Sequence, residues 1–276
     1  MKQLFLLLVV LFFTFGCDYH KPPKEIDLDS IFDPTPVYSE SEAKAPNDVE
    51  KFQDVLKRCK LQLYREGISV DYDAFEGYKS PQFYVDSEEN LVFNVDKEAN
   101  TYKTRSELRE GPEENEWYVD DSTGHFWIAN LQVLKPAVGV DSFTWMQVHG
   151  TTDTFNYPIV RLFWERQRNG EYDHLWSVVI ISDAYDSQVY EYTDLGARPE
   201  GFFRAEVHFK NNIMDIIINH NLIKTYNVTY WQGVKNYFKA GVYINRYGDG
   251  GAVTARFSEL NFYDYQDPVN VVSPHH

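Results

Sequence analysis

The chain has 276 residues, and its 43% hydrophobic and 16% aromatic content excludes a disordered or collagen-like protein. Its 42 acidic against 26 basic residues leave a net charge of −16, a field that repels nucleic acid, and no basic run with interleaved aromatics offsets it. The two cysteines, Cys17 and Cys59, are too few for a disulfide framework and too far apart for a zinc motif.

In chain order, the first element lies outside the fold. Lys2 precedes an apolar run from Leu4 to Phe13, too short to cross a bilayer as a helix but suited to the apolar region of a secretory signal. Gly16 before Cys17 is the pattern of a lipoprotein signal, although Thr14 stands where such signals usually carry Leu. Residues 1–16 are therefore expected to be a signal peptide and Cys17 the lipid attachment site. The protein is expected to be exported and to touch the cell-envelope membrane only through that lipid. With Cys17 acylated, Cys59 has no disulfide partner; without acylation, a Cys17–Cys59 bridge is open. Residues 17–48, polar and carrying Pro22, Pro23, Pro34, Pro36 and Pro46, read as a flexible tether. The folded domain is expected over 49–276.

Val49, Phe52, Val55, Leu56 and Cys59 recur at helical spacing, and Lys60 to Tyr64 then alternates, which predicts a helix followed by a first strand. From about residue 80 the chain is strand after strand. Runs at Phe83–Val85, Leu91–Val95, Phe126–Leu134, Phe143–His149, Ile159–Arg166 and Leu175–Ile181 are short and rich in Val, Ile, Tyr, Phe and Trp. Phe203–Phe209, Ile213–Ile218, Leu222–Val228, Tyr237–Asn245 and Ala255–Tyr263 continue the series. Asn219-His220-Asn221 is a hairpin signal. No long helical period intervenes, so the reading is one all-β domain, a sandwich or jelly roll of two antiparallel sheets. Such folds collect alternate side chains of a concave sheet in a shared groove.

Three segments place polar groups on one strand face. Arg105, Glu107 and Arg109 share a face, with Ser106 and Leu108 opposite; Gln147 and His149 share a face, with Met146 and Val148 toward the core. Tyr237, Lys239, Gly241, Tyr243 and Asn245 form the third row, in which Gly241 is read as leaving room beside Tyr243. Taken singly, each has an ordinary structural explanation, as do His125, His174, His208 and His220.

In this order, however, the three strings resemble polysaccharide lyase family 7, the alginate lyases, which carry R-(S/T)-E-L-R, Q-(I/V)-H and Y-F-K-A-G-x-Y-x-Q segments. Cys59 to Leu63 resembles the family's early W-K-L-x-L strand, and the resemblance covers roughly residues 50 to 265. Asn245 replaces the usual Gln, and Cys59 the usual aromatic. The resemblance implies a β-jelly roll that cleaves a polyuronate, alginate, by β-elimination without a cofactor or metal. It assigns Arg105 and Gln147 to neutralising the substrate carboxylate, and His149 and Tyr243 to acid–base chemistry. Arg109, Lys239 and Asn245 would bind neighbouring sugars, and Glu107 would orient the arginines. In the family, valine in the Q-V-H segment accompanies a preference for mannuronate, and Val148 matches it. A monomer is expected. A lyase for another polyuronate such as glucuronan, or a carbohydrate-binding surface lipoprotein without turnover, are the rival expectations.

Overall fold

The computed structural model describes residues 38–63, 68–72, 74–111, 115–151, 157–183 and 188–264. The signal segment, Cys17 and most of the tether therefore lie outside the described residues. The chain enters through helix α1 (Glu50–Lys57), which buries Phe52, Val55 and Leu56 on one stripe, and passes at Arg58 directly into strand β1 (Cys59–Leu63). The helix-then-strand expectation holds, with its boundary at Arg58. Strands β2 (Ile68–Val70), β3 (Phe83–Val85), β4 (Leu91–Lys97), β5 (Thr104–Glu110), β6 (His125–Val133), β7 (Ser142–Thr151) and β8 (Pro158–Arg168) follow. They continue as β9 (Glu171–Ile180), β10 (Tyr190–Ala197), β11 (Phe203–Lys210), β12 (Ile213–Ile218), β13 (Asn221–Asn227), β14 (Lys235–Ile244) and β15 (Gly251–Asp264).

These strands form two antiparallel sheets, in the orders β10-β9-β8-β7-β14-β5-β1-β2 and β13-β12-β11-β6-β15-β4-β3. The sandwich expected from the sequence is present. Strict alternation builds it: β6 buries every second residue, His125, Trp127, Ala129, Leu131 and Val133. The core between the sheets is aromatic, with Trp127 against Trp145, Phe83 against Phe93, and Phe93 against Phe257. Between β12 and β13, Asn219 (φ 48°) and His220 (φ 63°) both occupy the left-handed region that a tight hairpin of this hand needs.

Two strands escaped the sequence reading. Of these, β10 buries only Leu195 and presents Tyr190, Tyr192 and Asp194 outward, so it lacks the apolar content by which the other strands announce themselves. Strand β2 is a three-residue edge paired to β1.

At the centre of the larger sheet, β14 buries nine of its ten residues and β7 seven of ten. One face of these strands packs on the core. The other is the floor of a cavity.

Candidate active site

The cavity has a volume of about 480 Å³ and is lined from seven adjacent strands, running from Gln62 on β1 to Tyr190 on β10. It therefore crosses the strands rather than following them. Pairing register explains which side chains meet, because directly opposed residues of antiparallel strands share a face. Lys239 lies opposite Gln147 on β7 and opposite Arg109 on β5; Tyr243 lies opposite Arg105, and Tyr237 opposite His149. All of these line the cavity, as does Asn245 just beyond the end of β14. The fold thus brings together the three segments singled out from the sequence.

Glu107 is the organising group. It is 1% exposed and sits beneath the lining residues, not among them. Its Oε1 accepts from Gln147 Nε2 at 2.7 Å, and its Oε2 accepts from Lys239 Nζ at 2.7 Å and from an Arg105 terminal nitrogen at 3.1 Å. One carboxylate therefore positions Arg105 and Gln147, the pair expected to grip the substrate, together with Lys239. The orienting role expected of Glu107 extends to Gln147 and Lys239. It does not extend to Arg109, whose guanidinium lies 4.2 Å over the Tyr237 ring. Arg105 lies in the same way over Tyr243, at 4.1 Å.

His149 stacks on Tyr237 with centroids 5.4 Å apart, and its Nδ1 lies 3.0 Å from the Gly150 carbonyl oxygen. That oxygen can only accept, so Nδ1 carries the proton and Nε2 keeps its lone pair. Burial, and then the charges of Lys239, Arg109 and Arg105, hold the imidazolium down to a pKa of about 3. His149 is therefore a neutral imidazole at ordinary pH, with Nε2 unprotonated. Burial, with help from Arg105 and Arg109, also lowers the Lys239 ammonium to about 8 against the pull of Glu107.

The space expected beside Tyr243 from Gly241 is not there. A Cβ on Gly241 (φ 142°) would lie 2.2 Å from the Ser106 carbonyl oxygen and 2.8 Å from Glu107 Cα. The glycine is required by the close approach of β5, at a bulge where Gly241 and Val242 together oppose Trp145 of β7. The other described histidines have structural places: His125 bonds Asp264, His174 bonds Asp194, His208 bonds Glu206, and His220 occupies the left-handed turn of its hairpin. Cys59 is a free thiol, fully buried in the core.

The sequence reading missed Arg161, Lys103, Gln62 and Tyr190, which also line the cavity. Arg161 carried a usable signal, being a cation between Val160 and Leu162 in the apolar first half of β8, before Glu165 and Arg166. Among the described residues the lining includes Arg105, Arg109, Arg161, Lys103 and Lys239 and no Asp or Glu, so the field these residues set up reverses that of the −16 chain.

Fold and site together define a jelly-roll polysaccharide lyase. The family model described as alginate lyase matches residues 65–266, and the chain belongs to that family. An alginate lyase of a Photobacterium species (strain ATCC 43367) is 26% identical over 258 residues, 79% of this chain and 87% of its own. Among solved structures, alginate lyase AlyC3 superposes with a TM-score of 0.72 at 22% identity, covering 82% of this chain and 97% of that one. The family 7 alginate lyase A1-II′, in complex with product, gives 0.63 at 22% identity over 76% and 96% of the two chains.

Proposed function

We propose that this protein cleaves alginate at 1,4-linkages by β-elimination, with its own residues and no metal supplying the charge, and that it prefers mannuronate. The observation that carries the proposal is the joining of Arg105 and Gln147 through Glu107, beside a neutral His149 and Tyr243. Removing the C5 proton beside an ionised carboxylate requires that negative charge be absorbed in the transition state. The Arg105 fork and the second Gln147 amide hydrogen serve that purpose, since the first is already given to Glu107.

On mannuronate the C5 proton and O4 lie on the same side of the ring. The proton moves from C5 to the Tyr243 oxygen and on to O4 as the C4–O4 bond breaks and the C4–C5 double bond forms. The substrate carboxylate offsets the Lys239, Arg109 and Arg105 charges that, with burial, hold the imidazolium down, and His149 Nε2 then takes the tyrosine's own proton for the duration. On guluronate the two groups lie on opposite sides, and His149 is the direct base. Val148 is fully buried in the core, so any preference it conveys acts through the placement of Gln147 and His149 and not by touching sugar.

Absorbance of the unsaturated product, followed on separate polymannuronate, polyguluronate and glucuronan with and without chelator, tests the proposal. A rise on polymannuronate that survives chelation is expected. A flat trace on both alginate blocks would overturn the substrate assignment, and glucuronan would then separate a different lyase from a silent binder. From residues 1–17 we also propose export and a lipid anchor at Cys17; Cys17→Ser should move the protein from the membrane to the soluble fraction, and retention in the membrane would refute the anchor.

A further inference from the structure

A single register row crosses the sheet through the floor of the cavity. Arg161 on β8 opposes Gln147 on β7, Gln147 opposes Lys239 on β14, and Lys239 opposes Arg109 on β5. Arg161 and Arg109 thus sit at the two ends of the row, three strand spacings or about 14 Å apart. The polar centre expected to hold the reacting sugar lies between them.

These two arginines differ from the rest. The other described arginines form ion pairs: Arg58 with Glu110 and Asp264, Arg105 with Glu107, Arg168 with Glu165, Arg198 with Asp173, and likewise Arg166, Arg204, Arg246 and Arg256. The side chains of Arg161 and Arg109 make no hydrogen bond or ion pair with a described residue; that of Arg109 lies only over the Tyr237 ring. Leaving two guanidinium groups without acids in a chain with 42 acidic and 26 basic residues is a costly arrangement unless an anion arrives from outside. The electrostatic neighbours of Arg161 are the hydroxyls of Tyr192, Tyr243 and Tyr190, and burial weakens its hold on its proton. No carboxylate of the described chain competes for it, and Glu165, two residues along the same strand, is taken by Arg168.

We propose that Arg161 binds the carboxylate of a uronate next to the one gripped by Arg105 and Gln147, so that the polymer lies across the strands with Arg161 and Arg109 on its two flanks. The inference rests on the polyuronate reading of the cavity and extends it to a second carboxylate position. A guanidinium suits that position because its fork meets a carboxylate with two parallel hydrogen bonds and never deprotonates in use.

The test compares wild type, Arg161→Ala and Arg161→Lys on mannuronate oligomers of increasing length, with folding checked by Tm. Arg161→Ala should lower kcat/KM about 10- to 100-fold, mainly through KM, as loss of one charge-assisted pair implies. The salt dependence of KM should become shallower in the same variant, and Arg161→Lys should recover part of both. A KM and salt slope unchanged in Arg161→Ala, with wild type active, overturn the inference and leave the proposed function standing. If wild type makes no unsaturated product, calorimetric binding of mannuronate trisaccharide decides. Weaker binding to Arg161→Ala than to wild type would support the carboxylate position without the reaction, and equal binding, or none to either protein, would end it.

Discussion

Strand β5 carries two buried glutamates three residues apart, and they face opposite ways. Glu107 looks into the cavity and accepts from Arg105, Lys239 and Gln147. Glu110 looks away from it; its Oε1 takes Arg58 at 2.6 Å and its Oε2 the Phe238 backbone N–H at 3.0 Å. Arg58 is shared with Asp264 at 2.7 Å, and Asp264 in turn holds His125 at 2.7 Å. Both glutamates are desolvated and multiply bonded, so burial of charge does not by itself separate a site from a latch. The surplus does. Around Glu107 the cations outnumber the carboxylate and open onto a cavity, which leaves positive charge for a ligand. Around Glu110 two carboxylates share one arginine and close the seam between the α1–β1 corner and the ends of β5 and β15.

The sharpest break in this comparison comes from the groups that Glu107's cluster serves. Tyr243→Phe or His149→Ala should reduce kcat by about 100-fold or more with KM little moved, as loss of acid–base catalysis implies; single-turnover formation of unsaturated product measures it. Wild-type kcat/KM should also show no acid limb near the ordinary histidine value, because His149 stays neutral down to about pH 3. Glu107→Gln comes next. It leaves Arg105 and Lys239 without their counter-charge, which should cost about 3 to 5 kcal/mol of stability, as for a broken buried ion pair. Through the displaced Gln147 and Arg105 it should also lower kcat/KM by about 10-fold or more. Urea unfolding and kinetics on the same preparation check both, and a variant of wild-type stability would show that Glu107 is not the hub.

How much of this contrast was legible in the sequence follows from where its information resides. Alternation along β5, β7 and β14 put the right groups on one face, since a period of two survives without knowledge of the neighbours. The ordered strings Arg105 to Arg109, Gln147 to His149 and Tyr237 to Asn245 identified the family. Register between strands was not legible, and with it Arg161 was missed, because only pairing shows that it stands opposite Gln147. Gly241 was misread for the same reason, since the backbone it admits belongs to β5 and not to a ligand. Glu110 ends the same motif strand but faces Arg58 and Asp264, residues far apart in sequence, so its role depends on tertiary contacts alone.

The Glu110 cluster gives a prediction that should leave catalysis untouched. Burial outweighs the attraction of Arg58 and pushes the carboxyl up to about 7, with Asp264 adding to the rise. A carboxyl that binds its proton more tightly folded than unfolded stabilises the fold fully below its unfolded value and loses that contribution as pH rises toward 7. The displacement corresponds to about 3 kcal/mol across that window. Glu110→Gln mimics the protonated group, so Tm plotted against pH should be flatter for the variant between about 4.5 and 7, with kcat/KM at pH 7 close to wild type. A variant that keeps the wild-type slope would assign the titration to another group.

The smallest effect belongs to the rim of the cavity. Asn245 lines it just beyond the end of β14, half-buried, where the family usually carries Gln. An amide on a partly solvated rim exchanges one water hydrogen bond for one sugar hydrogen bond, a difference of about 1 kcal/mol or less. Asn245→Gln extends that amide by one methylene toward a neighbouring sugar without touching Glu107 or its partners. It should lower KM on long mannuronate chains by no more than about fivefold and leave kcat and the shortest cleaved oligomer unchanged. A kcat that moved with it would mean that the rim amide reaches the reacting sugar, and the boundary between the cationic floor and the adaptable rim would then lie one residue closer to Tyr243.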